Sequence, residues 1–293
     1  MPPIAAEHEL LVDPSRAAPR VALLVGTPRS GTTLISSMLG GARGVLSLSE
    51  PYLTHAVMPD WKLHRFFWRF QRDAGLLRRP PPFCGDARAF GRFMALTAAE
   101  NGFGCLAIKE TFRSAPVHAA WDNIGLLGEL ASQASACAAL IREPFDTAAS
   151  TIKFCRPILG LLGRVARIRW PNTPLFRNAD AVAEWSARNW ATYVDWVQER
   201  GLPLMRYEDF VAEPAARLPE LCAWLGIDFD PVMLTPQPRG RTFWGIGDPE
   251  VVRRPRKTVD RRAVGRGARL SARQRAAVRE LCADRARQLG YEC

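Results

Sequence analysis

Four short apolar runs along the chain each stop at a polar residue capable of chemistry. Val21–Val25 gives way to Gly26 and a hydroxyl-rich loop, and Val45–Ser49 to Glu50-Pro51. Gly104–Ile108 leads into Lys109-Glu110, and Ala136–Ile141 into Arg142. Runs of this length, bounded by glycine, proline or charge, read as strands. Helical spacing of apolar positions fills the intervals, so the pattern predicts an α/β fold: a doubly wound parallel sheet flanked by helices. Such sheets bind ligands beyond the carboxyl ends of their strands. The loop after Val25, Glu50, Lys109 and Arg142 are therefore predicted to meet on one rim.

Further along, Ala181–Arg200 reads as an amphipathic helix whose Trp185, Trp190, Tyr193 and Trp196 pack into the core. Leu204–Tyr207 reads as a fifth strand. The last helix starts at Ser271, which forms a capping box with Gln274, and runs to Gly290. Two segments stand outside this framework. Trp61–Arg72 is a basic, aromatic helix that ends near Arg78-Arg-Pro-Pro-Pro82, and Lys153–Arg177 contains Ile158-Leu-Gly-Leu-Leu-Gly163. They read either as insertions, over about 55–100 and 153–180, that wall a ligand cleft, or as helices with core aromatics and a solvated basic face. Peripheral contact with an anionic membrane is a third reading of the same composition. Residues 1–19 read as a flexible N-terminal segment and 20–293 as a single domain. The Gly- and Arg-rich stretch 239–270 has no period.

The chain has 293 residues, 47% of them hydrophobic, enough for a full core. Apolar runs fall well short of the roughly 18 residues of a membrane span, and no apolar leader follows the N-terminus. Seven Cys are scattered without a CxxC pair, and the four His (8, 55, 64, 118) have no ligand spacing. These features predict a cytoplasmic protein with reduced thiols and no metal. The Ala- and Arg-rich composition suggests a bacterial source. The net charge is +11, and 239–275 holds 12 Lys or Arg against the acids Asp248, Glu250 and Asp260. Such a field suits a doubly phosphorylated ligand or an acidic acceptor. Nucleic acid is the other use of a basic stripe, but no recognisable binding motif interleaves the cations with aromatics.

Gly26 and Gly31 keep the GxxxxG spacing of a loop whose backbone N–H groups and helix dipole face an anion. Thr32 stands where a nucleotide triphosphatase keeps the Lys that neutralises the β- and γ-phosphates. Triphosphate chemistry is disfavoured accordingly. Arg29 and the hydroxyls of Ser30, Thr32 and Thr33 suit a smaller anion.

Thr27-Pro-Arg-Ser-Gly-Thr-Thr33 resembles the 5′-phosphosulfate loop of sulfotransferases, which use 3′-phosphoadenosine 5′-phosphosulfate (PAPS). Arg142-Glu-Pro-Phe-Asp-Thr-Ala-Ala-Ser150 is similar to the family's second landmark, and Met205-Arg-Tyr-Glu-Asp-Phe-Val211 followed by Leu-Cys-Ala-Trp-Leu-Gly226 to a third. The resemblance implies PAPS as cofactor, without metal, held by Thr27, Pro28, Arg29, Ser30, Gly31, Thr32, Thr33, Arg142, Ser150 and Arg266. It also implies that 239–270 folds over the 3′-phosphate. Glu50, Lys109 and Arg29 become the catalytic candidates: Glu50 as base toward an acceptor hydroxyl, Lys109 and Arg29 toward the leaving phosphate and the sulfuryl oxygens. His55 is the alternative base, and a helix cap is the alternative role for Glu50. The acceptor would be a glycan, a glycolipid or a small metabolite. A P-loop kinase and a non-enzymatic basic binding module are the competing readings.

Overall fold

The structure is a computed structural model describing residues 18–57, 60–77, 87–114, 122–159, 178–245, 258–259 and 261–292. Most of 1–19, all of 160–177 and the middle of 239–270 lie outside the described residues. Six strands form one sheet: β1 (Arg20–Gly26), β2 (Val45–Ser49), β3 (Cys105–Thr111), β4 (Ala136–Ile141), β5 (Leu204–Arg206) and β6 (Phe243–Gly245). Their order is β5-β4-β1-β3-β2-β6 and every pairing is parallel. The chain builds β2 and β3 on one side of β1, then crosses to β4 and β5 on the other. The carboxyl ends of β1 and β4 therefore diverge at a switch point, the place where open α/β sheets leave a crevice.

Side chains alternate between two cores, as a sheet covered on both faces requires. Leu23, Val25, Leu106, Ile108, Ala139 and Ile141 face one core. Ala22, Leu24, Cys105, Ala107, Ala138 and Leu140 face the other. Helix α1 (Thr32–Leu39) packs on the second face. The short helix α2 (Pro51–Val57) follows β2 directly. Helices α3 (Asp60–Asp73), α4 (Ala87–Glu100), α5 (Ile124–Gln133), α6 (Pro144–Leu159) and α7 (Ala179–Glu199) contribute to the first face. The second face is completed by α8 (Tyr207–Ala212) and α9 (Pro214–Trp224), and α10 (Ala272–Gln288) returns to the first.

Two strand expectations change. β3 runs on through Lys109 and Glu110 to Thr111, so Lys109 lies within the strand and not after it. Its ladder with β1 continues to the Gly26–Thr111 pair, and polar partners satisfy the Lys109 side chain inside the sheet. The stretch 239–270, read as a loop without period, contains β6, which pairs with β2. Three residues are too short to show a period. Gly245 makes this approach feasible: at φ 140 a Cβ would lie 2.1 Å from the Ser49 carbonyl oxygen, so only glycine fits. In α3 the aromatics divide, with Phe67 and Phe70 buried and Trp61 and Trp68 exposed. The capping box of Ser271 and Gln274 opens α10 as the sequence predicts.

Helix α7 does more than pack. Its Tyr193 hydroxyl donates to the carbonyls of Val25 (2.8 Å) and Leu140 (3.2 Å), bridging β1 and β4 where they part. Asn189 accepts from the Ser114 N–H at 2.6 Å and donates to the Phe112 carbonyl, and Trp190 Nε1 donates to the Arg142 carbonyl at 2.8 Å. Tyr193→Phe keeps the ring but leaves two buried carbonyls short of a donor. It should destabilise the fold by about 1–3 kcal/mol in denaturant unfolding; an unchanged midpoint would show that the bridge carries no stability.

Candidate active site

The loop after β1 has two residues in the left-handed region, Arg29 at φ 71 and Gly31 at φ 96. Gly31 starts α1, and no side chain caps the helix there. A helix with an uncapped N-terminus turns its first N–H groups and positive dipole end toward an anion. Thr27, Ser30, Thr32 and Thr33 are buried. Ser30 is turned inward, its hydroxyl donating to the Thr27 carbonyl at 2.7 Å, whereas Thr27 Oγ1 is buried with no hydrogen-bond partner. Pro28 and Arg29 are half-buried. Gly31 is needed for a reason the sequence did not disclose. A Cβ at this position would sit 2.5 Å from the Tyr207 ring.

Arg142, Ser150 and Arg29 do converge, and the loop itself is what joins them. Arg142 Nη1 donates to the Arg29 carbonyl at 3.1 Å, and Arg29 Nε donates to Ser150 Oγ at 3.4 Å. Arg29 also lies over the Phe154 ring, 5.2 Å from its centroid. The Arg142 guanidinium is enclosed: Nη2 pairs with Asp146 at 3.2 Å, donates to the Ala263 carbonyl, and the group lies over the Tyr207 ring. Asp146 then accepts from the N–H groups of Gly265 (2.9 Å) and Gly267 (2.6 Å). Arg266, half-buried, sits between these two glycines in a 3₁₀ turn, Arg266–Arg269. This clamp brings the C-terminal basic segment to the anion loop.

Beside the loop stands a charged cluster. Glu50 follows β2 with φ 55, and its N–H donates to the Lys109 carbonyl at 2.7 Å. Lys109 Nζ donates to Glu50 Oε1 at 2.6 Å, and Thr111 Oγ1 donates to the same oxygen. Both side-chain bonds land on Oε1, and the Glu50 side chain keeps 12% exposure, leaving Oε2 for a ligand. Burial pushes the Glu50 carboxyl up, but the charges of Lys109 and Arg113 and the two hydrogen bonds outweigh it and hold the group below its ordinary value. Glu50 also caps locally, its carbonyl accepting from Thr54 N–H at 3.0 Å and Thr54 Oγ1 at 2.8 Å. Glu50 thus caps the helix through its backbone carbonyl while its side chain belongs to the charged cluster.

Two members of the cluster escaped the sequence reading. Arg113 is 8% exposed, and its Nη2 is buried without a hydrogen-bond partner. Glu110 accepts from the Tyr52 N–H at 2.7 Å through Oε1, while Oε2 is buried and unpartnered. Burial, reinforced by the negative charge of Glu50, pushes Glu110 up to about 7. The overlooked signal is parity: Lys109, Thr111 and Arg113 are alternate residues, the period that places side chains on one side of a strand. His55 is packed instead, its ring stacked on Phe90 with centroids 4.7 Å apart. Among the described residues no group of His, Cys, Asp and Glu could hold a metal ion, and no helix is long and apolar enough to cross a membrane.

Glu110 and Glu143, the latter also pushed up to about 7 by burial, bind protons more tightly in the folded chain than in the unfolded one. Stability is then greatest at mildly acidic pH and declines as pH rises from about 4.5 through about 7. Glu50 has the opposite sign: its contribution is present above its ordinary value of 4.5 and is lost as pH falls below it. Thermal unfolding across pH should show a maximum near about pH 5, and a curve rising steadily to pH 8 would contradict the assignment.

Comparisons with known proteins agree with this geometry. The fold resembles the sulfotransferase domain of the Synechococcus PCC 7002 olefin synthase at TM-score 0.58 and 20% identity, covering 96% of this chain and 98% of that one. The sulfotransferase domain from the curacin biosynthetic pathway aligns at TM-score 0.56 and 19% identity, covering 95% and 99%. Mouse sulfotransferase SULT7A1, complexed with PAP, aligns at TM-score 0.50 and 16% identity over 92% and 85%. No curated protein matches by sequence. A model of the sulfotransferase family matches residues 22–231, which span the loop after β1, Glu50, Lys109, Arg142 and Asp146, and the chain belongs to that family.

Proposed function

We propose that this protein transfers a sulfuryl group from PAPS to the hydroxyl of an acceptor, a glycan, glycolipid or small metabolite, by in-line displacement. The observation that carries the reading is the register of Gly26 with Thr111, which sets the anion loop directly beside the Glu50–Lys109–Thr111 cluster. The loop fits a phosphosulfate. It has an uncapped helix start, a buried Thr27 hydroxyl without a partner and an adjacent Arg29, but no Lys after Gly31 for a triphosphate. When bound, PAPS would supply an activated sulfuryl group with the nucleotide PAP as its leaving group.

The residues of this chain divide the remaining work. Backbone N–H groups of Gly31–Thr33 and the loop hydroxyls hold the 5′ anion, and Arg142 fixes the loop through the Arg29 carbonyl. Ser150 orients Arg29, and Arg266 is brought to the same side by the Asp146 clamp. Lys109 and Arg113 supply positive charge where the sulfuryl oxygens and the leaving oxygen accumulate negative charge. Glu50 Oε2 takes the acceptor proton. Its pairing with Lys109 keeps it ionised, and any shift of Lys109 toward the phosphate side weakens that pairing and raises its basicity.

The product nucleotide PAP should bind tightly in calorimetry, with ATP and duplex DNA markedly weaker. Equal affinity for ATP would favour a nucleotide triphosphatase, and preference for DNA a basic binding module. A sulfation screen over hydroxylated acceptors then identifies the second substrate.

Glu50→Gln retains an oxygen for Lys109 and Thr111 but removes the proton acceptor. With an acceptor from the screen, kcat should fall about 10²–10⁴-fold while PAP affinity stays near wild type. A folded variant with full turnover would remove Glu50 as base.

A further inference from the structure

Helix α3 (Asp60–Asp73) presents a face that sulfuryl transfer does not explain. At 100° per residue, Leu63, Phe67 and Phe70 point to one side and are buried in the core. Trp61, Arg65, Trp68 and Arg72 form a narrow stripe on the opposite side, flanked by Lys62 and Arg69, and all six are exposed. Trp61 is 57% and Trp68 39% exposed. Among the described residues only six large hydrophobic side chains are exposed, and Leu77, just after α3, is a third from this segment. Indole rings cost free energy in water and find their best solvent at an interface, ring body in apolar material and N–H among polar groups. Arg72 is paired with Asp73 at 2.8 Å, so the cationic charge of the stripe rests on Lys62, Arg65 and Arg69.

We propose that α3 is a docking helix for an anionic lipid surface, with Trp61 and Trp68 set at headgroup depth and Lys62, Arg65 and Arg69 against lipid phosphates. Charge complementarity selects the occupant. A convex stripe of alternating indole and guanidinium groups matches a fluid surface that is negative outside and apolar a few ångströms in. A folded protein partner would instead need a complementary groove for two tryptophans on one ridge. On the opposite, inner side α3 packs Phe66 and Phe67 near Ser49, Pro51 and Thr54, so the exposed stripe is not needed to hold the helix on the fold. The docking surface does not rest on the sulfotransferase reading, which PAP binding tests separately.

The test is co-sedimentation of the full chain with vesicles of phosphatidylcholine alone, or with about one-third phosphatidylserine, at about 0.1 M salt. The wild type should pellet with the anionic vesicles, not with the neutral ones, and tryptophan emission should shift to the blue. Arg65→Glu with Arg69→Glu, and separately Trp61→Ala with Trp68→Ala, should each lower the partition coefficient at least about tenfold, with PAP affinity unchanged in both. Failure of the wild type to bind anionic vesicles overturns the proposal. So does binding that survives either double substitution, because the protein would then be docking through its other cations. Capture of duplex DNA through the same residues, without vesicle binding, would reassign the stripe to nucleic acid.

Discussion

The buried pair of Arg142 and Asp146 is the contact on which the site's geometry depends. One guanidinium holds the carbonyl of Arg29 in the anion loop, the carbonyl of Ala263 in the C-terminal segment and the carboxylate one helical turn ahead. The carboxylate in turn takes two backbone N–H groups from Gly265 and Gly267. Burying two charges is unfavourable unless each is paired and hydrogen-bonded, and here the compensation is spread over three separate parts of the chain. Removing either partner leaves a bare charge at the switch point, so the pair enforces one arrangement of loop, strand and C-terminal segment. Arg142 therefore acts in the structure as the tie between the loop after β1 and the C-terminal segment.

Charge in the neighbouring cluster is balanced by position. Lys109 and Arg113 lie close to both Glu50 and Glu110, but the two carboxylates are treated differently. Glu50 receives the Lys109 and Thr111 hydrogen bonds and stays ionised, whereas Glu110 receives one backbone N–H and is driven toward neutrality. With Glu110 protonated, two cations stand over one anion and the cluster favours a negative ligand. Environment pushing two acids apart in this way is a recurrent means of giving neighbouring carboxylates different tasks.

Much of this was legible because a parallel sheet writes its strands as apolar runs. β2 and β4 begin and end where the hydrophobic pattern places them, and β1 and β5 differ only at their ends. β3 ran longer because Lys109 and Glu110 look like strand-ending charges until their partners, distant in sequence, are known. β6 was invisible because its existence depends on the close approach of Gly245 to Ser49, a tertiary fact. Arg113 belongs to no motif of the sequence, and its burial follows from packing of the segment that Asn123 fastens to the Arg113 and Thr111 backbones. The motif residues were found by local spacing; their supports, Asp146, Tyr193 and Asn189, act across long sequence separations.

The glycine motif illustrates how a binding signature is also a folding constraint. Gly31 was expected to be small so that an anion could approach. In the structure its φ of 96 and the Tyr207 ring already exclude a side chain before any ligand is considered. The same ring lies against Arg142, 5.0 Å from its centroid, so the glycine lets α1 start close enough for Tyr207 to cover the guanidinium. A larger residue would push that ring away, expose the Arg142–Asp146 pair to solvent and loosen the Arg29 carbonyl. The loop is therefore rigid for reasons internal to the protein, and under the proposed function that rigidity would spare its backbone N–H groups reorganisation on binding a charged ligand.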